Sequence, residues 1–284
     1  MKIRLFVALF LLALIIDPCH AGAVKVRESN TESHRTEAAE QDGDEAVKYS
    51  NDVFRELVER YATADGNVDY QAWKDTPDDL AALNRQVDLL ALVSPGSHAE
   101  QFNGPAAVRS YWINTYNTLV LQAVLEYWPL ESVRDVRISF SSRVIPGKGF
   151  FYDRKVVVGG VESNLYQLEK EVLKSQKDPR LHFALNCASS SCPVLRPWQW
   201  TEEQLDLAAR DFVNDSDNVD VREDTVYLSR IFKWYRKDFP EDTYGYLQQF
   251  AEAGLSNRLQ AARDGKYSTK YFDYDWGLND SDSH

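Results

Sequence analysis

The stretch PAAVRSYWINTYNTLVLQAVLEYW, Pro105–Trp128, decides the fold of this chain. Proline is favoured at the first position of a helix, and Pro129 stops the helix at the other end. In the second half of the stretch, residues 119–127 are apolar on nearly every side. A helix that is apolar all round belongs in the middle of a domain. The sequence therefore predicts a long central helix that is buried.

Helical patterns flank this segment on both sides, and short apolar runs lie between them. The helical patterns cover about residues 46–62, 76–90, 163–174, 201–212, 229–238 and 243–263. Strands are predicted near residues 151–161, 219–228 and 271–276, and the run 181–188 favours a buried strand, with a buried helical turn as the alternative. Because the strands cluster instead of alternating with helices, we predict an α+β fold. We expect a mainly helical single domain with a central buried helix and a small, mostly antiparallel β-sheet.

The first residues have the pattern of a signal peptide. Two basic residues precede Leu5–Ile16, an apolar run of 12 residues, and Ala21 offers a small residue for cleavage. A bilayer-spanning helix needs about 20 apolar residues, which disfavours an uncleaved anchor. Lipidation of Cys19 is disfavoured by the preceding Asp17-Pro18. We predict that residues 1–21 are removed and that the protein is periplasmic or secreted.

The remainder of the chain divides into a polar segment and a globular one. Residues 22–45 are rich in acidic and small polar residues, which predicts a disordered acidic linker, and residues 46–284 form the domain. We find no second apolar run of membrane length, so we expect no integral membrane association after cleavage. The net charge of −12 disfavours phosphate-backbone contacts, and we expect no nucleic acid partner.

The usual cofactor motifs are not found in the sequence. No His, Cys or Asp cluster has metal-ligand spacing, and no phosphate loop, dinucleotide fingerprint or Gly-x-Ser-x-Gly elbow is present. We therefore expect no metal and no other cofactor. The substrate, the partner and the oligomeric state are not indicated by the sequence.

Cys187 and Cys192 are the two cysteines of the predicted domain, in the string NCASSSCP that begins at Asn186. An even pair this close in an exported protein indicates a disulfide. The alternative is that Cys187 is a nucleophile, which requires a base or a cation nearby. His182 and His98 are the candidate bases. On a straight strand, however, the side chains of His182 and Cys187 point to opposite faces.

Further candidate site residues lie in the central helix and near the sheet. Asn114 and Asn117 share one helix face, and if buried they either brace neighbouring loops or orient a catalytic group or a substrate carbonyl. Trp112 and Tyr116 are adjacent candidates that would line or support the pocket. The carboxylate of Glu169 faces either solvent or a partner group. Asp273 and Asp275 alternate with aromatic residues and share one face of the last strand, which indicates solvent, a cation or an arginine opposite them.

Three strings of this sequence resemble one known family. They are YWINTYN at 111–117, DPRLHFALNCAS at 178–189 and SCP at 191–193, with weaker agreement at GNVDY 66–70, LSRIFKWY 228–235 and YDWGLN 274–279. Together they resemble the domain-of-unknown-function 547 family over about residues 54–280. The resemblance implies a single globular domain, often exported in bacteria, with no accepted reaction. One departure is Lys170, where members of the family commonly carry a histidine.

Two functions from different classes follow from these residues. The first is a cysteine-centred hydrolase or acyl transferase in which Cys187 attacks, His182 or His98 is the base, and Asn114 with Asn117 orients the substrate or its oxyanion. The second is a non-enzymatic binding module with a loop stapled by Cys187–Cys192. Thiol–disulfide exchange is a third and weaker hypothesis, because the spacing is not Cys-x-x-Cys.

Overall fold

The structure is a computed structural model that describes residues 47–281, apart from the side chains of residues 174–176. The predicted signal peptide (1–21) and linker (22–45) lie outside the described residues. Within the described range the chain forms a mainly helical α+β domain, as predicted, with no helix long and apolar enough to cross a membrane.

The helices and strands follow one another along the chain in a helix-rich order. The helices are α1 Asp52–Tyr61, α2 Tyr70–Lys74, α3 Pro77–Leu92, α4 Gly104–Tyr127, α5 Leu165–Gln176, α6 Glu202–Asn214, α7 Arg230–Trp234, α8 Thr243–Gln248 and α9 Ala253–Gly265. The strands are β1 Val156–Val158, β2 Val161–Ser163, β3 Val219–Arg222, β4 Thr225–Leu228 and β5 Ser268–Tyr271.

Helix α4 is the buried helix that the sequence predicts. It packs against α3 and α5, and its residues from Ile113 to Leu121 are all buried. Proline stands in its first turn, as expected for a helix start. Helices α1, α5 and α6 are amphipathic and bury one face each. The polar side chains of α4 are therefore enclosed by protein and need partners there.

The strands form two small sheets instead of the single sheet that was expected. Strands β1 and β2 pair as an antiparallel hairpin, and β3, β4 and β5 form a second sheet in that order. Strand β5 runs parallel to β4, because α7, α8 and α9 lie between them in the chain and return it to the same end. The predicted last strand, 271–276, is also corrected, because β5 is Ser268–Tyr271 and residues 272–276 have no regular secondary structure.

The run 181–188 is helical at its start, so the preference for a buried strand was wrong. Pro179–Phe183 forms a 3-10 helix with proline in its first turn, and the Asp178 side chain accepts a hydrogen bond from the Arg180 backbone N–H. This turn chemistry starts a helix and competes with a strand ladder. The chain then continues without regular structure into the cysteine loop.

The C-terminal segment of the described chain meets residues 66–70 beside that loop. Val68 pairs with Asp280 in an isolated parallel bridge. The buried amide of Asn279 accepts a hydrogen bond from the Tyr70 hydroxyl at 2.9 Å and donates one to the Gly66 carbonyl at 3.0 Å. Gly66 has a φ of +92° and lies against Val194, a position that disfavours any side chain. These contacts hold the C-terminal segment against the start of the domain.

Candidate functional site

A disulfide joins Cys187 to Cys192, with their Cα atoms 6.2 Å apart. The bridge confirms the predicted staple. It closes the loop Ala188–Ser191, which begins with Ala188 in the left-handed region at φ +59°. Ala188 and Ser189 are buried, whereas both cysteines are partly exposed. The loop is therefore anchored at its base and presents the bridge near the surface.

Asn186 holds the same loop with its side-chain amide. Its Nδ2 donates to the Pro193 carbonyl at 2.8 Å, and its Oδ1 accepts from the Ala188 N–H at 2.8 Å. The second bond is an Asx turn, a pattern that asparagine makes readily. Asn186 therefore joins Ala188, inside the loop, to Pro193, which follows it. We call these two bonds the Asn186 clasp; they hold the loop closed independently of the disulfide.

The predicted pair Asn114 and Asn117 is buried, and each side-chain amide both donates and accepts a hydrogen bond. Asn117 donates to the Ala184 carbonyl at 3.0 Å and accepts from the Asn186 N–H at 2.9 Å. Asn114 donates to the Trp198 carbonyl at 2.9 Å and accepts from the Trp200 indole at 2.9 Å. The two amides thus fix the chain before and after the stapled loop. In this arrangement their donors are already engaged with protein carbonyls.

The sulfur atoms of the bridge lie among hydrogen-bond donors. Cys192 Sγ is 3.0 Å from the Cys187 backbone nitrogen, 3.2 Å from the Tyr274 hydroxyl and 3.3 Å from the Ser189 hydroxyl. Cys187 Sγ is 3.2 Å from the Ser189 hydroxyl and 3.4 Å from the Tyr274 hydroxyl. A disulfide sulfur carries no hydrogen, so it can only accept a hydrogen bond, and each of the two hydroxyls has a single hydrogen to donate. Cys192 alone receives the backbone N–H.

Glu169 and Tyr235 form a second polar group close to Tyr274. The Tyr235 hydroxyl donates to the Glu169 carboxylate, which resolves the open question of whether Glu169 faces solvent or a partner. Burial raises the pKa of Glu169, and the Tyr235 bond and the Lys170 charge oppose that shift. Burial raises the pKa of Tyr274 to about 12, Ser189 opposes the shift, and the Glu169 charge adds to it. The Tyr274 hydroxyl therefore stays protonated around neutral pH.

His182 interacts with Asp238 and aromatic rings. Its Nε2 is 3.0 Å from Asp238 Oδ2, and its ring centroid is 4.2 Å from that of Tyr235. Burial lowers the pKa of His182, the Asp238 carboxylate opposes this shift, and Lys170 adds to it. The parity argument for His182 and Cys187 does not apply, because the segment is not a strand. The described contacts of His182 join it to the α7 region.

The remaining predicted residues lie at other places in the fold. His98 follows α3, and its Nδ1 is 2.9 Å from the Ser97 hydroxyl, beside the β1–β2 hairpin. Trp112 packs edge-on against Tyr111, with centroids 5.0 Å apart, and Tyr116 is buried. Lys170, at the position of the family's histidine, places its Nζ 5.5 Å from the Tyr235 ring centroid. The departure from the family therefore stands beside the Glu169–Tyr235 pair.

An acidic cleft of about 480 Å³ opens along the stapled loop. Its walls include Ser190, Ser191, Cys192 and Pro193 of that loop. Six aspartates line it: Asp65, Asp211, Asp215, Asp217, Asp273 and Asp275. Arg196 also lines the cleft and forms an ion pair with Asp211, and Arg230 bonds Asp273 at 2.7 Å. Among the described residues, no group of His, Cys, Asp and Glu is arranged to hold a metal ion.

The fold and the bridge define a helical α+β domain built around a disulfide-stapled loop. The sequence model of the family described as "Protein of unknown function, DUF547" matches residues 104–213. This match confirms the family resemblance for that segment, which runs from the start of α4 to the end of α6 and contains both cysteines. Tyr274 lies beyond the matched segment. Comparison with curated proteins and with solved structures found no match.

Several residues of the site were not selected from the sequence. Tyr274 and Ser189 contact the sulfurs, Asn186 clasps the loop, and Asp238 pairs with His182. Asn186 directly precedes Cys187, and asparagine commonly forms an Asx turn, so the sequence offered a local indication of this role. Tyr274 and Asp238 carry no such signal, because each reaches its partner across more than 50 residues of sequence.

Proposed function

We propose that this domain is a binding module whose stapled loop forms one wall of the acidic cleft. The observation that carries the proposal is the bond between Cys187 and Cys192, because a bridged Cys187 has no free thiol with which to attack a substrate. The groups assigned to thiol chemistry also have other partners. His182 bonds Asp238, and both asparagines of α4 bond the backbone around the loop.

A fixed loop suits binding, since a preorganised wall loses little conformational entropy when a ligand arrives. The bridge and the Asn186 clasp hold the loop from within. The C-terminal segment holds it from outside, where the Ser190 N–H donates to the Gly277 carbonyl at 2.8 Å and the Asp275 N–H donates to the Ser191 hydroxyl at 2.9 Å. The second bond places Asp275 at the rim of the cleft.

The lining of the cleft indicates an organic cation. Its volume of about 480 Å³ lies within the usual range of small-molecule sites. Aspartates surround it, while aromatic residues Phe183, Phe212 and Phe272 supply apolar surface. A cation with an apolar stem, such as a linear alkyl polyamine, satisfies both features. Negative potential in a cleft also raises the local concentration of cations.

Titration calorimetry with spermidine tests this proposal. The double variant D217N/D275N removes two charges from the lining of the cleft and keeps a side-chain oxygen at both positions. We expect about a tenfold loss of affinity, which corresponds to about 1.4 kcal/mol. The matched control is E56Q/E59Q, which removes two charges from the exposed face of α1, outside the cleft lining. Equal weakening by both pairs, or no binding by the unaltered protein, would rule the cleft out as a polyamine site.

A cysteine-centred hydrolase or acyl transferase is the second candidate, and it applies to the reduced protein. The observation in its favour is that Cys187 is partly exposed with two hydroxyl groups at its sulfur. Those hydroxyls are hydrogen-bonding groups and not general bases at neutral pH, so a base would have to move toward Cys187 after reduction. Hydrolysis of p-nitrophenyl acetate by reduced protein, abolished in Cys187→Ser, would support this candidate over the binding module.

We also propose that the protein acts outside the cytoplasm, in the periplasm or as a secreted protein. Disulfides form and persist in oxidising compartments, and the N-terminal sequence has the pattern of an export signal. The bridge between Cys187 and Cys192 supports this proposal independently of that signal.

A further inference from the structure

The two sulfurs of the bridge differ in their surroundings. Cys192 Sγ has three hydrogen-bonding groups within 3.3 Å, the Cys187 N–H and the hydroxyls of Ser189 and Tyr274, and only the N–H is fixed in position. Cys187 Sγ has only the two hydroxyls that it shares with Cys192 among the contacts described for it. We propose that this bridge undergoes thiol–disulfide exchange, in which an external thiolate attacks Cys187 Sγ and Cys192 leaves as the thiolate. This activity does not depend on what the acidic cleft binds.

The direction of exchange follows from the stability of the leaving sulfur. Hydrogen bonds to the charged form of an acid lower its pKa, and a leaving thiol of lower pKa departs faster. The Cys187 N–H is held in place by the backbone, whereas the hydrogen of a hydroxyl rotates between acceptors. The extra fixed donor therefore favours negative charge on Cys192 over negative charge on Cys187.

Tyr274 strengthens the same preference. Ser189 Oγ lies 3.0 Å from the Tyr274 oxygen and donates to it, which leaves the Tyr274 hydrogen free to point at sulfur. Because the pKa of Tyr274 is raised to about 12, this hydrogen is retained over the whole range in which thiols titrate. The shorter of its two sulfur contacts, 3.2 Å, is to Cys192.

Nearby negative charges disfavour a thiolate on Cys192 and so limit the preference for this sulfur as the leaving group. Cys192 lines the acidic cleft together with Asp211, Asp273, Asp275 and Arg196, and Glu169 lies on the far side of Tyr274. The three aspartates are exposed, so solvent and salt screen their repulsion of a thiolate. Arg196 is cationic and opposes them. The direct hydrogen bonds from the Cys187 N–H at 3.0 Å and from the Tyr274 hydroxyl at 3.2 Å are not screened in this way.

The exchange step is balanced in atoms and electrons. The incoming thiolate donates its electron pair to Cys187 Sγ, a new S–S bond forms there, and the Cys187–Cys192 bond breaks. The bonding pair departs with Cys192, which remains as a thiolate, so no proton is taken up or lost. A second thiol then attacks the external sulfur of the adduct. The external thiols are thereby oxidised to their disulfide, and the bridge is reduced by two electrons.

The structure allows this reaction to proceed without loss of the fold. The bridge is partly exposed, and it closes a loop of only six residues, from Cys187 to Cys192. After it opens, Asn186 still joins Ala188 to Pro193, and Asn117 still holds Asn186. The loop therefore keeps its donors in place around the Cys192 thiolate, as the reverse reaction also requires.

The first test identifies the sulfur that is attacked. Oxidised, folded protein is incubated with glutathione as the probe thiol, quenched with acid, alkylated and mapped by mass spectrometry. We expect glutathione on Cys187 and the alkyl label on Cys192, with at least a tenfold excess over the reverse pattern. An adduct mainly on Cys192, or equal labelling of both, would overturn the proposed direction. Absence of any adduct, where urea-unfolded protein reacts, would overturn the activity itself.

The second test measures the thiolate directly. In Cys187→Ser the N–H donor is retained, and the alkylation rate of Cys192 as a function of pH gives its pKa. We expect a midpoint below the ordinary value of about 8.5, and a higher midpoint when Tyr274→Phe is added. The matched control is Tyr244→Phe, whose hydroxyl bonds Thr269. In Cys192→Ser, Cys187 should titrate closer to its ordinary value. An unshifted Cys192 in folded protein, verified by circular dichroism, would contradict the proposal.

Discussion

The hydroxyl of Tyr274 lies 3.2 Å from the sulfur of Cys192, although the two residues are 82 positions apart in the chain. The contact joins the C-terminal segment to a loop that belongs to the middle of the domain. Neither element makes the site alone, since the loop supplies the sulfurs and the segment supplies the donor. The predictions below follow from this arrangement and from the buried groups around it.

Asn117 should be a strong determinant of stability. Replacing it by Ala strands the Ala184 carbonyl and the Asn186 N–H, and an unsatisfied buried group costs about 1–3 kcal/mol. Urea unfolding of Asn117→Ala under non-reducing conditions should show a loss of this size. Glu59→Ala on the exposed face of α1 is the control and should change stability by less than about 0.5 kcal/mol. An unchanged urea midpoint for Asn117→Ala would refute the stabilising role of the Asn117 hydrogen bonds.

Loss of the disulfide should cost little and leave the fold intact. Closing a loop of about six residues restricts the unfolded chain by roughly 2 kcal/mol. The double variant C187A/C192A should therefore unfold at lower urea, with an unchanged far-ultraviolet circular dichroism spectrum, because the Asn186 clasp remains. A spectrum with lost helix content would show that the bridge, and not the asparagine, holds this region.

His182 should make stability depend on pH in the acidic range. Its pKa falls from 6.5 to about 4 in the folded protein because burial disfavours the imidazolium. Between these values the unfolded chain binds a proton that the folded protein does not, so stability is lost as pH falls from about 6.5 to about 4. Chemical unfolding at several pH values should show this slope, and His182→Gln should reduce it. An equal slope in both proteins would assign the effect to other groups.

Glu169 should have the opposite pH dependence. Burial raises its pKa in the folded protein, so its contribution is full below the unfolded value and declines as pH rises through the folded one. Glu169→Gln retains an oxygen to accept from Tyr235 and removes the charge. We expect this variant to be more stable than the unaltered protein at pH 7, with the difference vanishing near pH 4. Lower stability of the variant at pH 7 would show that the charge itself is needed.

Export should leave a mature protein that lacks residues 1–21. The basis is the basic start followed by an apolar run of 12 residues. N-terminal sequencing of protein isolated from its native host, together with fractionation of that host, should give Gly22 as the first residue outside the cytoplasm. Material that begins at Met1 in the cytoplasmic fraction would disprove the prediction.

Sequence patterns correctly predicted those elements that are determined by residues close together in the chain. The apolar run of α4 and the capping box of Thr201 with Gln204 at the start of α6 are both present. The cysteine pair was also accessible, because a separation of five residues permits a tight bridge. The capping pattern and the burial pattern act within a few residues, so the sequence alone shows them.

Elements that depend on distant partners were not predictable in this way. The parallel pairing of β5 with β4 spans 43 residues, from Thr225 to Ser268. The reach of Tyr274 to the bridge and of Asp238 to His182 depends on how whole helices pack. The segment 181–188 was misread because its apolar content, which any buried segment shares, outweighed the turn signal at Pro179.

The junction of the C-terminal segment with residues 66–70 has a consequence for the order of folding during synthesis. Asn279 completes the contacts of Gly66 and Tyr70, and Tyr274 completes the surroundings of the bridge. Asn279 is made 209 residues after Tyr70. Synthesis adds about 5–20 residues per second. A nascent chain therefore contains both cysteines for several seconds before Tyr274, which donates to their sulfurs, has been added. The loop can acquire its final environment only after Tyr274 and Asn279 have been synthesised.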